Sequence, residues 1–300
     1  MTAILVTGAT GKQGGSVVRN LLAQNAPFDI LAVTRNAQSS SAQKLAQQSP
    51  KIKLLEGNLD NPEALFRAAK SAISTPIWGV FSVQAADPRN DSERRQGLAL
   101  VDESIKQDVK FFVYSSVDRG GEASIDNPTE VPHFIYKHEI EKHLIAASKG
   151  TGMEWAVLRP TAFFENLTPD YFGRVFATAW HMALKGKPLQ LIATSDIGFF
   201  AAHAFLHPEE SRGKFFSLAG DELTYDQMAT IFKQKTGKDV PTTYRLPVRL
   251  MMMAVKELGV MFKWFYEQGY GADIEALRKI SPVLKDFGTW VETESGFRKR

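Results

Sequence analysis

Residues 3–15 read Ala3-Ile4-Leu5-Val6-Thr7-Gly8-Ala9-Thr10-Gly11-Lys12-Gln13-Gly14-Gly15. An apolar run with strand character leads into a turn with glycine at every third position. Val17, Val18, Leu21 and Leu22 then recur at helical spacing. Gly8, Gly11 and Gly14 each have a physical task. One permits the tight strand-to-helix turn, one lets the backbone approach a pyrophosphate, and one packs the helix on the strand. The free N–H groups and positive dipole end of the helix favour phosphate charge. Thr10, Lys12 and Gln13 complete the loop and are candidate contacts to the same ligand. Such a glycine string says little alone. Between a strand and a helix it specifies a dinucleotide-binding turn.

Beyond this turn the first half of the chain keeps alternating. Strand patterns fall at Ile4–Thr7, Ile30–Thr34, Ile52–Glu56, Ile77–Ser82, Phe111–Ser115 and Glu154–Leu158. Helical patterns lie between them, near 14–25, 41–48, 61–72, 92–108 and 134–149. Short Val-, Ile- and Phe-rich strands separated by helices predict a parallel sheet covered on both faces. The right-handed crossover rule then selects the Rossmann-type doubly wound sheet. After Arg159-Pro160 the alternation breaks down into pieces such as Leu189–Ile192, Gly213–Leu218 and Thr224–Lys235, with one long helical stretch over Pro247–Tyr266. The division expected is a nucleotide-binding domain over 1–160 and a smaller α+β substrate or partner region over 161–300, folded together as one compact unit. The stripe of Met251, Met252, Met253, Met261, Phe262, Trp264 and Phe265 reads as core or as the lining of an adaptable pocket.

Composition narrows the functional classes. A chain of 300 residues with 44% hydrophobic and 23% charged residues is ordinary for a globular protein. The net charge of +3, with no dense basic run interleaved with aromatics, argues against nucleic acid. The basic end, Phe297-Arg298-Lys299-Arg300, reads as a solvated tail. With no cysteine there are no disulfides, thiolate metal sites or thiol nucleophiles, and the six histidines show no metal-ligand spacing, so no metal is expected. No apolar stretch reaches the roughly 18 residues of a membrane span. An N-terminus that becomes strand at once leaves no signal peptide. A cytoplasmic protein is expected, with the nucleus also open to it.

The second strand predicts which dinucleotide. An NAD site carries Asp or Glu at its end to bond the ribose 2′-hydroxyl. Here the strand ends Val33-Thr34-Arg35-Asn36. A guanidinium matches a phosphate and not a hydroxyl pair. NADP(H) rather than NAD is therefore expected, with Arg35 on the 2′-phosphate and Lys12 as a second positive charge. The plainer reading of either residue is a solvated surface cation. Ligands sit beyond the carboxyl ends of the strands. Asn58 and Leu59 are thus expected to flank the adenine, Ser82-Val83-Gln84 to pass under the pyrophosphate and ribose, and Ser115 to lie near the nicotinamide.

Together these residues resemble the short-chain dehydrogenase/reductase superfamily, and within it the atypical NmrA-like group. The resemblance extends through Glu56-Gly57-Asn58-Leu59-Asp60, Leu158-Arg159-Pro160-Thr161-Ala162-Phe163-Phe164-Glu165-Asn166, Asp196-Ile197-Gly198 and Leu218-Ala219-Gly220-Asp221. It implies that Pro160, Thr161 and Phe163 border the nicotinamide end. The superfamily's catalytic pair is a Tyr with a Lys four residues later. None of the seven tyrosines here has Lys at that spacing. His133-Phe134-Ile135-Tyr136-Lys137 instead places a His four residues before the Lys, similar to the group in which the Lys is kept and the Tyr lost. Lys137 can still clamp the nicotinamide ribose. His133 carries an imidazole, which can donate a proton; its plainer role is to cap the helix or bond a loop.

The resemblance implies two readings of different class. In one, the protein is a redox or dinucleotide sensor, a transcriptional-type regulator acting through protein partners; the missing tyrosine favours this. In the other it is an NADPH-dependent reductase of quinones or aromatic metabolites. That chemistry needs mainly proximity and a proton source, with Phe163, Phe164, Phe172, Trp180, Met182 and Trp264 available to wall an acceptor pocket. Segments 85–97 and 118–132 are expected to order when the ligand binds.

Overall fold

The computed structural model describes residues 2–86 and 90–298. Its strands are β1 (Thr2–Val6), β2 (Phe28–Thr34), β3 (Ile52–Glu56), β4 (Ile77–Ser82), β5 (Phe111–Ser115), β6 (Glu154–Pro160), β7 (Ala162–Phe163), β8 (Leu189–Ile192), β9 (Lys214–Leu218) and β10 (Asp221–Leu223). Its helices begin with α1 (Lys12–Ala23), α2 (Ser40–Ala46), α3 (Pro62–Ala72), α4 (Ser92–Lys106) and α5 (Pro132–Ala147). They continue with α6 (Tyr171–Ala183), α7 (Thr194–Leu206), α8 (Pro208–Ser211), α9 (Tyr225–Thr236), α10 (Arg245–Ala254) and α11 (Lys256–Glu267), and two short helices follow. The chain divides into two compact units. The first comprises residues 1–116, 136–158 and 197–216, and the second 117–135, 159–196 and 217–300.

The first unit is built on a sheet of order β3-β2-β1-β4-β5-β6-β9. From β3 to β6 every pairing is parallel. This is the doubly wound α/β fold that the alternation predicts. The order reverses between β1 and β4, and the Thr7 hydroxyl sits at that reversal. It accepts from Val83 N at 2.8 Å and lies within donating distance of Phe81 O and Val83 O. Leu5, Leu31, Val80, Phe112 and Val157, all buried, join Phe66 of α3 and Leu100 of α4 in one core. On a strand face, Trp78 stacks between Phe28 and Phe111 at 5.5 and 5.7 Å, and Phe205 of α7 meets it edge-on.

The second unit holds a small mixed sheet, β10-β8-β7, with β7 parallel and β10 antiparallel to β8. Its core gathers Phe164, Trp180, Phe232, Phe262, Trp264, Phe287 and Trp290. The helix predicted over Pro247–Tyr266 is two helices. Val255 is extended, with φ −96° and ψ 90°, and α11 turns back on α10. Gly259 permits this, because a Cβ there would lie 3.3 Å from the Met252 carbonyl carbon and nearer still to its oxygen. Phe262, Trp264 and Phe265 are core, whereas Met253 is 75% exposed.

Segment 118–132 is stitched from within the second unit. Arg119 is fully buried and donates to the carbonyls of Val117, Ser124 and Asn127, while the Asp118 carboxylate accepts from Gly120, Gly121 and Gly271. Residues 87–89 of the other segment expected to order, and Lys299-Arg300 of the basic tail, lie outside the described residues.

Gly14 is where the first unit has least slack. A Cβ there would lie 2.5 Å from the Thr7 carbonyl oxygen and closer to that of Gly8. Gly14→Ala should lower stability by about 1–3 kcal/mol, the usual cost of forcing a methyl into a packed site. Urea unfolding checks this; an unchanged midpoint would show that α1 can shift off β1.

Candidate functional site

The glycine turn is assembled from backbone. Gly8 has a φ of 59°, in the left-handed region that favours glycine, and its carbonyl accepts the Gly11 amide at 2.8 Å. Gly11 is the N-cap of α1 and supplies no capping side chain, and the first helical turn carries no acid. Neither a cap nor a carboxylate of α1 offsets the positive end of its dipole. That end suits an anion.

A crevice of about 750 Å³ opens beside it within the first unit. Gly8, Thr10 and Gly11 form one side, with Thr34 and Arg35 at the end of β2. Asn58, Leu59 and Asp60 follow β3, Val83 follows β4, and Ser92 and Gln96 come from α4. These are the carboxyl ends of the strands on either side of the reversal, the place where doubly wound sheets bind ligands. Arg35 is exposed there. The loop after it is closed by Glu56, whose carboxylate accepts the Ala37 amide at 2.8 Å. Asp60 is held below the usual carboxylate range, chiefly by the hydrogen bond from Gln96 Nε2 at 2.9 Å.

The other expected cofactor contacts are distributed differently. Lys12 is exposed in the first turn of α1, and Gly14 is buried beneath it. Ser82 is fully buried and accepts from Gln84 Nε2 at 2.9 Å, so of Ser82-Val83-Gln84 only Val83 borders the crevice. Ser115 Oγ donates to Gln13 Oε1 at 2.5 Å, tying the end of β5 to the glycine turn. Pro160, Thr161 and Phe163 belong to the second unit. There the Thr161 amide and hydroxyl both donate to Leu218 O at 3.0 Å. The aromatic wall suggested by composition is not one surface. Phe164, Trp180 and Trp264 are core, and Phe172 is 81% exposed.

Helix α5 carries the residues with chemistry. Lys137 Nζ donates to Ser115 O at 3.2 Å and lies 3.0 Å from a carboxylate oxygen of Glu93 on α4. Gly97 makes the approach of these helices possible, since a Cβ there would lie 2.7 Å from Ile140 Cγ1 on α5. One turn before Lys137, the His133 ring bonds through Nδ1 to Glu257 of α11. A carboxylate only accepts, so Nδ1 carries the proton and Nε2 is the other functional nitrogen. The sequence pointed to neither Glu93 nor Glu257. Both come from distant segments, and no local spacing marks them.

A family profile described as the NmrA-like family matches residues 1–288, and the chain belongs to that family. It is 28% identical over 255 residues to the NmrA-like family domain-containing oxidoreductase hkm9 of Aspergillus hancockii, covering 78% of this chain and 72% of that one. Its fold matches that of the NADPH-dependent quinone oxidoreductase QOR2 of Escherichia coli, solved with NADPH. The TM-score is 0.72 at 21% identity, over 96% of this chain and 97% of that one. It also matches NmrA, a negative transcriptional regulator solved with NADP, at TM-score 0.68 and 16% identity over 98% and 94% of the chains. Among the described residues no helix is long and apolar enough to cross a membrane.

The hydrogen bond from His133 holds Glu257 below its ordinary value of 4.5. A depressed carboxylate stabilises the fold above its unfolded pKa and loses that contribution as pH falls through the folded one. Glu257→Gln should therefore be less stable than wild type at pH 7, with the gap closing below about pH 4.5. Urea midpoints across this range check it. A gap that stays constant to pH 3 would mean the pair contributes nothing through ionisation.

Proposed function

We propose that this protein binds NADP(H) in the crevice of its first unit and is a reductase of quinones or related aromatic acceptors. The observation that carries the proposal is the chemistry of α5. One turn apart it bears a cation paired with a buried carboxylate and an imidazole oriented by another. A reductase needs a proton source, and an imidazole oriented one helical turn from the lysine can provide one.

The residues suit the cofactor. The uncapped start of α1 and the exposed backbone of Gly8 and Gly11 accept a pyrophosphate, with Thr10, Lys12 and Gln13 along the same turn. Gly14 packs the helix on β1 beneath it. Arg35 receives the 2′-phosphate by charge-assisted, bidentate hydrogen bonds, each worth about 1.5–3 kcal/mol. Asn58 and Leu59 flank the adenine, and Val83 passes beneath the phosphates, with Ser82 and Gln84 fixing its strand end. Ser115 and Lys137 serve the nicotinamide ribose. Bound there, the reduced cofactor supplies a hydride. The chain supplies the rest. Lys137 holds the sugar. His133, its ring held through Nδ1 by Glu257, passes a proton from Nε2 to the acceptor oxygen as negative charge develops there. Hydride and proton together convert a quinone to its hydroquinone. The names of hkm9 and QOR2 agree with this reading. The regulator NmrA keeps the sensor reading in view, in which the same crevice reports redox state to a protein partner.

The purified protein should oxidise NADPH saturably with a quinone from a panel of aromatic acceptors. His133→Phe should lower kcat by about 10²-fold or more, the usual worth of a positioned proton donor, with NADPH affinity kept. Firm NADPH binding without turnover on any acceptor would return the protein to the sensor class. Arg35→Asp should shift the NADPH:NADH affinity ratio toward NADH by about 10- to 100-fold; an unchanged ratio removes Arg35 from cofactor choice.

A further inference from the structure

Glu93 is unlike the other acids of the first unit's crevice region. Its side chain is 1% exposed. Among the described residues its one charge partner is Lys137, and neither of its oxygens has a directed hydrogen-bond partner. Taking a carboxylate out of water is costly unless donors replace the solvent, and this group can accept from about four directions. The fold keeps it buried at some effort. Gly97, one turn along α4, lets that helix press against α5 at Ile140, and this brings Glu93 to Lys137.

The surroundings say what could supply the missing donors. Glu93 meets Lys137, Lys137 donates to Ser115 O, and Ser115 Oγ donates to Gln13 in the glycine turn. Ser92 and Gln96, on the same first turns of α4, line the crevice. The acid therefore stands at the end of a continuous polar chain leading from the phosphate-binding turn. A ligand that adds O–H donors beside a paired cation and carboxylate is a vicinal diol, which accepts from the ammonium and donates to the carboxylate at once.

We propose that Glu93 is the acidic half of a two-residue ribose clamp. It fixes the Lys137 ammonium and accepts a hydroxyl of the sugar on the nicotinamide side of the dinucleotide. This rests on the cofactor reading of the crevice and goes beyond it in assigning a residue that the glycine pattern and the lysine do not reveal. A role confined to the fold would weaken every ligand alike. A clamp on one sugar weakens only ligands that carry that sugar.

The test compares NADPH with adenosine 2′,5′-bisphosphate, which has the adenine half and its 2′-phosphate but no nicotinamide ribose. Both are titrated calorimetrically into wild type and Glu93→Gln. The variant should bind NADPH about tenfold or more weakly, the worth of a charge-assisted bond, and the bisphosphate within about twofold of wild type. Equal NADPH affinity in the two proteins overturns the proposal, and so does an equal loss for both ligands. If wild type binds neither ligand, the cofactor reading itself fails and takes the clamp with it. Glu93→Asp keeps the charge and withdraws it by one methylene, so it reads the same split if Glu93→Gln does not fold. Undiminished NADPH binding by the aspartate variant then overturns the clamp.

Discussion

Helix α1 starts in contact with the end of β1, and the contact leaves no room for a side-chain carbon at Gly14. Several features depend on this closeness. It aims the dipole of α1 across the carboxyl ends of the strands. It also holds the Gly8 and Gly11 backbone where the chain reverses direction between β1 and β4, with Thr7 bonding across the reversal to the backbone beyond β4. A doubly wound sheet opens its crevice at that reversal because successive crossovers cover opposite faces of the sheet. The position of the crevice thus follows from topology, and the uncapped helix start beside it suits an anion.

The second organising element is α5. Two of its side chains, Lys137 and His133, are each paired with a carboxylate from another helix. In low dielectric a lone ammonium is costly, and Lys137 Nζ lies 3.0 Å from a carboxylate oxygen of Glu93. For His133 the carboxylate of Glu257 settles the tautomer, with the proton on Nδ1. None of the seven tyrosines has a lysine four residues after it, and position 133, four residues before Lys137, holds a histidine. The orientation of that imidazole depends on α11.

Much of this was legible in the sequence, for a physical reason. β4 and β5 occupy the residues that the apolar runs delimit, because a strand buried on both faces must be apolar along its whole length. β3 lies at the sheet edge with Lys53 and Glu56 exposed, and is marked by Ile52, Leu54 and Leu55. The glycine turn and Arg35 were legible because their neighbours in sequence are also their neighbours in space. The reading failed where tertiary partners decide. No periodicity announces the break at Val255, which depends on Gly259 fitting against the Met252 carbonyl. Composition suggested an aromatic wall that included Phe172, yet which aromatics face outward depends on packing. Glu257 lies 124 residues from His133, and only the folded chain brings them together.

Diffraction from crystals grown with NADP⁺ tests the central claim most directly. The account predicts density for the pyrophosphate at the start of α1 beside Gly11, with the 2′-phosphate against Arg35. A dinucleotide bound elsewhere, or a 2′-phosphate turned away from Arg35 into solvent, would contradict it.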